Sequence, residues 1–269
     1  MMVKIIAFDI GGTSMRAALV QNKKILKYKK INTPKTKKDF LLAAEKLTKE
    51  LITKDTIGIG IGIAGTVRKG IIENAPNLTI KNFNIKKHFE KKFKIKTEVE
   101  NDANCVAIAE AKMGCKKKNF IVITLGTGIG GGIIINERLY RGAGYASEFG
   151  HTWINGKEWE DSWKKTKRKI KEKYKTEYLS KVAKLKDKKA KKIVNEAADY
   201  LGQGIASLTN SFDPEIIILA GGVKESKEEF LSPIKKALKK YSFFKKPTKI
   251  SWSKLKHPGI LGASLLINQ

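Results

Sequence analysis

Apolar residues near the start of the chain form two strand-like runs on either side of a glycine turn. Val3–Ile10 and Met15–Val20 are rich in β-branched and other apolar residues, and Gly11-Gly12-Thr13 lies between them. This order predicts a β-hairpin. The order strand, glycine loop, strand returns later in the chain as Phe120–Leu125, Gly126–Gly132 and Ile133–Ile135. This internal repeat predicts two lobes that each carry a glycine turn.

Between the two repeats, the spacing of apolar residues predicts alternating helices and strands. Apolar residues recur at helical spacing from Thr36 to about Thr53, which predicts a helix there. Over Thr56–Ile63, Ile alternates with Gly, which predicts a strand with one face open to the close approach of another backbone. A helix over Ile85–Phe93, a strand over Ile95–Val99 and a helix from Asp102 to about Met113 complete this part of the chain.

A basic stretch follows the second repeat. Residues 164–192 hold fifteen Lys and Arg against three acidic residues. Their apolar face is sparse, which predicts a solvated excursion of two helices. A more apolar helix is predicted over Ile193–Phe212, and a buried strand over Ile216–Leu219 leads into Ala220-Gly221-Gly222.

The whole chain is strongly basic. Lys and Arg number 55 against 26 Asp and Glu, which gives a net charge of +29 over 269 residues, and only five of the basic residues are Arg. Nucleic-acid readers favour Arg, whose planar group binds phosphate and guanine at two points, whereas Lys spread along a chain is a hydrated, solubilising charge. We therefore favour a Lys-rich surface over specific nucleic-acid binding and keep nucleic acid or polyphosphate as the alternative partner.

Cysteine content and hydropathy favour a reduced, soluble, cytoplasmic protein. Cys105 and Cys115 are the two cysteines of the chain, which excludes a disulfide scaffold and a zinc site built from several cysteines. The first residues carry no signal-peptide pattern. The longest uncharged stretch, residues 119–136, has five glycines near its centre, which argues against a membrane-spanning helix.

Two glycine patterns match a nucleotide-binding fingerprint in spacing but not in context. The spacing G-x-G-x-x-G occurs at Gly60, Gly62 and Gly65, and again at Gly126, Gly128 and Gly131. A dinucleotide fingerprint needs a helix directly after the glycines, but the first match leads into a turn and the second into a strand. The P-loop pattern G-x-x-x-x-G-K-[ST] does not occur in the sequence. Dinucleotide and P-loop sites are therefore disfavoured.

Two turns with glycine amides and a threonine hydroxyl are suited to bind a polyphosphate. They are Gly11-Gly12-Thr13 and Gly126-Thr127-Gly128. Facing each other across a cleft, such turns would donate hydrogen bonds to phosphate oxygens. Asp9 precedes the first turn and can hold Mg²⁺ through water, because Mg²⁺ prefers hard oxygen ligands. For each turn taken alone, the alternative is an ordinary tight hairpin.

Asp102 is the candidate catalytic base. It lies in Glu100-Asn101-Asp102-Ala103-Asn104, at the junction of a predicted strand and a predicted helix. Helix amides and the helix dipole stabilise a carboxylate at such a position. An alcohol becomes more acidic as it attacks phosphorus, so a positioned carboxylate can accept its proton late in the reaction. The alternative role for Asp102 is a structural N-cap of the helix.

Six stretches resemble the ROK family of sugar kinases and sugar-responsive repressors, in family order and over nearly the whole chain. They are Asp9-Ile-Gly-Gly-Thr13, Asn74-Ala-Pro-Asn-Leu78, Glu100-Asn-Asp-Ala-Asn104, Leu125-Gly-Thr-Gly-Ile-Gly-Gly-Gly132, Glu148-Phe-Gly-His151 and Leu219-Ala-Gly-Gly222. The resemblance implies an α/β protein with the actin-like ATPase (ribonuclease H-like) fold and two lobes around a central cleft. We expect residues 1–102 with 258–269 to form a small N-terminal lobe, and 103–257 a larger C-terminal lobe. The resemblance also implies ATP and Mg²⁺, transfer of the γ-phosphoryl group to a sugar hydroxyl, and a dimer or tetramer.

The resemblance assigns roles to individual residues of this chain. Asp102 is similar to the family's catalytic base. The residues that resemble its sugar-hydroxyl binders are Asn77, Asn101, Glu148 and His151. The residues that resemble its phosphate loops are Gly11, Gly12, Thr13, Thr127 and Gly128. Those that resemble its adenosine-side turn are Gly221 and Gly222. Carboxylates, amides and a neutral imidazole can pair with the donors and acceptors of sugar hydroxyls. Without the resemblance, Glu148 and His151 also suit a surface helix pair, and Asn77 a turn after Pro76.

The segment after His151 departs from the family pattern. Family members commonly carry three cysteines there that hold structural zinc with the histidine, followed by a Glu that reaches the sugar. Residues 152–162 contain no Cys, so we expect no zinc site. Glu160 is similar by position to the sugar-binding Glu. Trp153, Trp159 and Trp163 are candidates to replace the metal by packing, since buried aromatic area contributes about 25 cal/mol per Å².

Three classes of function follow from the sequence. The first is a hexose kinase of the glucokinase type, in which the phosphate turns, Asp9 and Asp102 position and neutralise the transferred phosphoryl group. The second is a sugar-sensing repressor, which we do not expect because the predicted strand before Asp9 begins at Val3 and leaves no room for a helix-turn-helix domain. The third is a non-catalytic protein that binds sugar, polyphosphate or nucleic acid through its basic surface. Polyphosphate would also serve the kinase as a phosphoryl donor.

Overall fold

A computed structural model describes residues 3–78, 80–176, 179–185, 187–223 and 227–268. The chain forms two compact units of similar size. Residues 1–115, 138–146 and 255–269 make the first unit, and residues 116–137 and 147–254 make the second. No helix in the described ranges is both long enough and apolar enough to cross a membrane.

Strands and helices alternate along the chain, and they are named here in chain order. Up to residue 115 they are β1 (Lys4–Ile10), β2 (Ser14–Gln21), β3 (Lys24–Asn32), α1 (Lys37–Leu51), β4 (Thr56–Ile63), β5 (Thr66–Arg68), β6 (Ile71–Ala75), β7 (Ile80–Asn84), α2 (Ile85–Phe93), β8 (Lys96–Asn101) and α3 (Asp102–Ala109). After it they are β9 (Phe120–Leu125), β10 (Ile129–Ile135), β11 (Arg138–Tyr140), β12 (Trp153–Ile154), β13 (Lys157–Glu158), α4 (Trp159–Tyr174), α5 (Leu179–Ala183), α6 (Lys188–Phe212), β14 (Ile216–Gly221), α7 (Lys227–Tyr241), β15 (Lys249–Trp252) and α8 (Pro258–Leu265).

The first unit is built on a sheet with the strand order β3-β2-β1-β4-β8. The predicted hairpin is confirmed as β1 and β2, which run antiparallel. β4 and β8 then run parallel to β1. The predicted helix from Thr36 is α1, and the side chain of Thr36 accepts a hydrogen bond from the amide of Asp39 as its N-cap. A smaller sheet of β5, β6 and β7 was not expected from the sequence.

The glycines of β4 let two helices pack directly on that strand, as predicted. A Cβ on Gly60 would lie 1.8 Å from the carbonyl oxygen of Ala263 in α8, and one on Gly62 would lie 3.0 Å from Sγ of Cys105 in α3. The two helices also touch each other, because a Cβ on Gly262 would lie 1.7 Å from the carbonyl oxygen of Cys105. This packing places α3 in the first unit, so that unit extends beyond the predicted 1–102 plus 258–269.

The second unit repeats the strand arrangement of the first. β9 is antiparallel to β10 and parallel to β14, which is parallel to β15. The predicted repeat is therefore confirmed, but the predicted glycine loop Gly126–Gly132 is too long. β10 begins at Ile129, so the last three glycines lie in a strand. Gly131 is needed there for packing, because a Cβ would lie 2.2 Å from the ring of Phe149.

The Lys-rich stretch is more than the solvated excursion that the sequence predicts. Within it, Ile170 of α4 and Val182 of α5 are buried in the core of the second unit, where Trp159 and Trp163 from the start of α4 are also buried. The pattern was misread because Lys occupies almost every solvent-facing position and hides the apolar positions that face inward. α6 also begins five residues before the predicted Ile193, at Lys188, where the side chain of Asp187 caps it.

Candidate active site

Asp9 lies near the carboxyl end of β1, next to a positive charge. Its Oδ2 accepts a hydrogen bond from Nη1 of Arg16 at 2.7 Å, and the two residues are directly opposite each other in the β1–β2 hairpin. Burial alone would lower the pKa of Arg16, but the Asp9 carboxylate, with smaller contributions from Tyr28 and Asp102, raises it. Asp9 also packs against the first turn of α8, where a Cβ on Gly259 would lie 2.8 Å from its carboxyl carbon.

The turn Gly11-Gly12-Thr13 directs its carbonyl groups to the rest of the first unit. The Gly11 oxygen accepts from Oγ1 of Thr33 at 2.6 Å, and the Gly12 oxygen accepts from Nζ of Lys35 at 3.1 Å. The amides of Gly12 and Thr13 have no partner within the described part of the chain. The turn therefore leaves backbone donors for an anion, as the sequence predicts for a phosphate loop.

Asn77 lies against this turn. A Cβ on Gly12 would be 2.8 Å from Cβ of Asn77, so only glycine fits at that position without moving one of the two segments. Asn77 is exposed, in a 3₁₀ turn over Pro76–Leu78. A residue predicted to bind sugar and a residue predicted to bind phosphate are therefore in contact.

Asp102 is the first residue of α3, and Asn101 is its N-cap. Oδ1 of Asn101 accepts hydrogen bonds from the amides of Ala103 and Asn104 at 2.9 and 3.1 Å. The alternative that Asp102 caps this helix is therefore wrong. Oδ1 of Asp102 accepts from the amide of Ala103 at 2.9 Å, and its carboxylate lies at the positive end of the helix dipole.

Asn101 has a structural task that the sequence did not indicate. Besides capping α3, it donates from Nδ2 to the carbonyl oxygen of Gly65 at 3.2 Å. One Nδ2 hydrogen remains for another acceptor, since a primary amide has two. Its predicted sugar contact stays a prediction, restricted to that remaining donor.

We expect Asn101→Ala to lower the free energy of unfolding by about 1 kcal/mol, because the first turn of α3 loses its cap. Urea denaturation of the purified variant measures the change. Asn195→Ala is the matched control, since Asn195 is exposed in the interior of α6, where Ala is the better helix former. A midpoint for Asn101→Ala equal to that of the wild type would contradict the cap assignment.

Glu100 is the residue of this site that sequence reasoning missed. It is only 8% exposed. Its Oε1 accepts from the Asn101 amide at 2.9 Å and from Nδ2 of Asn104 at 3.0 Å, and its Oε2 accepts from Nε of Arg141 at 2.7 Å. These bonds fix the start of α3, and hence Asp102, to β8. The signal available in the sequence was its place beside Asn101 and Asp102 in the motif.

The parallel strands bring Asp9 and Asp102 to one edge of the first sheet. Asp9 is in register with Gly62, and Gly62 with Glu100. Asp9 in β1 and Asp102 directly after β8 therefore belong to strands that lie two positions apart in the sheet, about 10 Å at the usual strand spacing. The Asp102 carboxylate, like that of Asp9, raises the pKa of Arg16. Ligands of open α/β sheets bind at the carboxyl ends of parallel strands.

In the second unit, the other residues that are predicted to bind the nucleotide lie at the corresponding edge of the sheet. The turn after β9 closes with a hydrogen bond from the Gly126 amide to the Gly128 oxygen at 3.0 Å, and Thr127 is exposed at its tip. Gly221 is in register with Leu125, the residue before this turn. It has a φ of +105°, and a Cβ there would lie 2.3 Å from the Leu125 oxygen, so glycine is required. Gly222 is open, with nothing within 4 Å of a Cβ.

Glu148, His151 and Glu160 come together in the second unit. A Cβ on Gly150 would lie 3.3 Å from both Cβ and Oε2 of Glu160. Nδ1 of His151 is 3.0 Å from Oε2 of Glu158. Burial raises the pKa of Glu148, with His151 opposing the rise and Glu160 adding to it. Three predicted sugar binders thus share one neighbourhood.

Glu160 also supports the glycine loop. Its Oε2 accepts from the Ile129 amide at 3.0 Å, and Oε1 forms an ion pair with Lys164. A Cβ on Gly128 would lie 1.8 Å from Oε2. A carboxylate has about four acceptor sites, so these two bonds leave others for a hydroxyl, and its predicted sugar contact stays a prediction.

The three tryptophans offered as a replacement for zinc behave differently from one another. Trp159 and Trp163 are 1% and 3% exposed, but Trp153 is 73% exposed. The prediction is wrong for Trp153, because this residue lies in the two-residue strand β12 with its side chain exposed to solvent.

In the ranges that the structure describes, no group of three or more His, Cys, Asp and Glu side chains could hold a metal ion. Magnesium held through water and substrate phosphates needs fewer protein ligands, and the assignment of Asp9 to it stays a prediction.

Known proteins resemble this chain in sequence and in fold. A glucokinase from Streptomyces coelicolor is 32% identical, over 88% of this chain and 87% of that protein. A xylose repressor from Caldicellulosiruptor bescii is 30% identical, over 77% of this chain and 61% of the repressor. The crystal structure of a ROK family glucokinase from Streptomyces griseus in complex with glucose and AMPPNP has a TM-score of 0.88 at 28% identity, and the match covers 99% of this chain and 100% of that one. The fold is the actin-like ATPase fold of the ROK sugar kinases. The ROK family profile matches residues 5–269, and the chain therefore belongs to the ROK family.

Proposed function

We propose that this protein is a glucokinase-like enzyme that transfers the γ-phosphoryl group of ATP to a hydroxyl of a hexose. The observation that carries the proposal is the position of Asp102 at the N-terminus of α3, at the same sheet edge as Asp9. A candidate base at the same sheet edge as a predicted phosphate turn is the arrangement that phosphoryl transfer to an alcohol requires. The similarity to glucokinases supports the sugar as acceptor.

Asp102 would accept the proton of the attacking hydroxyl. The new bond joins the hydroxyl oxygen to phosphorus, the bond from phosphorus to the leaving oxygen breaks, and ADP and the sugar phosphate result. The hydrogen bond from the Ala103 amide fixes the carboxylate at the start of α3, and an ionised carboxylate has about four acceptor sites with which to take the proton. Asn77, Asn101, Glu148, His151 and Glu160 would bind the remaining hydroxyls of the sugar.

The residues fit ATP and Mg²⁺ in the chemistry of their donors. The amides of Gly12 and Thr13, and the turn with Thr127 and Gly128, would hold phosphate oxygens, while Gly221 and the open Gly222 leave room for adenosine. Asp9 would hold Mg²⁺ through water. When bound, ATP supplies the phosphoryl group and Mg²⁺ neutralises phosphate charge.

A coupled assay of ADP release tests this proposal. The protein is incubated with MgATP and a panel of hexoses and N-acetylhexosamines, with buffer alone as the baseline and inorganic polyphosphate as a second donor. We expect release that depends on one sugar class. Release that is equal with and without every sugar, or sugar phosphate that forms only from polyphosphate, would contradict ATP-dependent sugar phosphorylation.

A non-catalytic sugar-binding protein is the second candidate. It is favoured by one observation, the 30% identity to a xylose repressor. Titration calorimetry with the same sugars separates the two candidates. Sugar binding together with turnover supports the kinase, and sugar binding without turnover from ATP supports the non-catalytic protein.

The raised pKa of Glu148 predicts the pH dependence of sugar binding. Because burial raises this pKa, Glu148 loses its charge at a higher pH than an exposed Glu does, and its acceptor capacity falls on mild acidification. We expect the KM for sugar to rise on acidification at a higher pH than the titration of an exposed Glu would produce, with little change in the KM for ATP. Initial rates over a pH series measure both values.

Glu148→Gln is the control for this dependence. We expect a higher KM for sugar at pH 7 and a flat profile on acidification. A raised carboxyl pKa means that the folded state binds the proton more tightly than the unfolded state, so ionised Glu148 destabilises the fold and protonation relieves this as the pH falls. Glu148→Gln should therefore be at least as stable as the wild type at pH 7. Parallel profiles for the two proteins would contradict the role of Glu148.

A further inference from the structure

One face of α4 holds the glycine loop of the second unit. Glu160, Trp163, Lys164 and Lys167 are spaced i, i+3, i+4 and i+7, so they lie on the same side of the helix. This face belongs to the helix that opens the Lys-rich stretch, for which the proposed kinase mechanism gives no role beyond Glu160.

Two of these side chains donate to the same carbonyl oxygen. Nε1 of Trp163 and Nζ of Lys167 lie 3.1 and 3.2 Å from the oxygen of Gly126. At the other end of the loop, Glu160 accepts from the amide of Ile129 at 3.0 Å. The loop is therefore held at both ends by α4, and its tip, Thr127, is exposed between them.

Lys167 differs from the lysines around it. Its side chain is half-buried against the loop, whereas Lys165 and Arg168 are exposed on other sides of the helix. Trp163, one turn earlier, is 3% exposed and anchors the helix in the core. An ammonium group on a helix that is anchored in the core, placed beside a predicted phosphate-binding turn, is a point charge well suited to phosphate oxygens.

We propose that Lys167 binds the phosphate groups of the donor at the Gly126–Gly128 turn, which makes it a substrate-binding residue of the kinase. The inference rests on the proposed function, because the donor is taken to be ATP. It explains why a basic helix packs onto this turn: the hydrogen bond to Gly126 places the ammonium group at the turn, and the charge adds attraction that glycine amides alone do not provide.

The test compares Lys167→Met with Lys165→Met, which removes the same charge from the same helix on another face. The affinity for MgATP is measured by titration calorimetry, and KM and kcat by the coupled assay. We expect Lys167→Met to bind MgATP at least tenfold more weakly, which corresponds to about 1.4 kcal/mol, with the sugar KM and the thermal midpoint unchanged. Lys167→Arg should recover part of the loss, and Lys165→Met should match the wild type.

The outcomes separate this inference from the proposed function. If the wild type binds MgATP and turns over sugar while Lys167→Met does so equally well, the role of Lys167 is overturned and the kinase stands. Equal weakening in Lys167→Met and Lys165→Met would also overturn it, because the effect would then be that of overall charge. If the wild type neither binds MgATP nor turns over sugar, the proposed function fails and this inference fails with it.

Discussion

We expect Asp102→Asn to lower kcat for sugar phosphorylation by about 10² to 10⁴-fold, the usual contribution of a general base. The amide keeps a carbonyl oxygen that can accept the hydrogen bond now received from the Ala103 amide, so α3 should retain its first turn. It cannot accept the proton of the hydroxyl. The KM for ATP should change little, since no contact of Asp102 with the predicted adenosine turn is proposed.

The matched control for this variant is Asp55→Asn. Asp55 forms an exposed ion pair with Lys4 at 3.1 Å, and such pairs contribute little to stability. Its kinetic constants should equal those of the wild type. If Asp102→Asn keeps the kcat of the wild type, Asp102 is not the base, and another group must take the proton. Circular dichroism of both variants confirms that they fold.

We expect Gly60→Ala to destabilise the protein by about 3 kcal/mol or more, at the upper end of the cost of overpacking a core. The new Cβ would lie 1.8 Å from the backbone oxygen of Ala263. Backbone in α8 cannot move aside as a flexible side chain can. α8 also packs on Asp9 through Gly259, so activity should fall together with stability. Denaturant unfolding measures the free-energy change.

Gly222→Ala is the stability control for Gly60→Ala. Nothing lies within 4 Å of a Cβ at Gly222, so the same added methyl group should leave the unfolding midpoint unchanged. Equal midpoints for Gly60→Ala and the wild type would mean that α8 does not pack on β4 as closely as described. A loss of stability in Gly222→Ala would contradict the open surroundings of that residue.

Local sequence signals predicted the parts of the fold that depend on neighbours along the chain. The hairpin around Gly11-Gly12-Thr13, the helix that starts after Thr36 and the glycine face of β4 each follow from a short pattern with one physical explanation. The motif around Asp102 also located the start of α3 correctly.

The parts that were missed depend on partners far away in the sequence. β3 is mostly exposed and rich in Lys, so it lacks the apolar alternation of a half-buried strand. Nothing near Asn101 and Asp102 distinguishes the cap from the base, because the choice is made by where the two side chains point. Glu100 meets Arg141 across forty-one positions, and α4 meets the Gly126 turn across thirty-seven. Contacts of that kind have no local pattern.

Phosphorus NMR of a reaction containing the protein, MgATP and each sugar is the sharpest test of whether this protein phosphorylates a sugar with Asp102 as the base. ADP release alone does not distinguish sugar phosphorylation from ATP hydrolysis, but the product resonances do. We expect a sugar phosphomonoester that appears in equal amount with ADP for one class of hexose, and that forms at least about a hundredfold more slowly with Asp102→Asn. Inorganic phosphate as the only new product, or ATP unchanged with every sugar, would contradict this expectation.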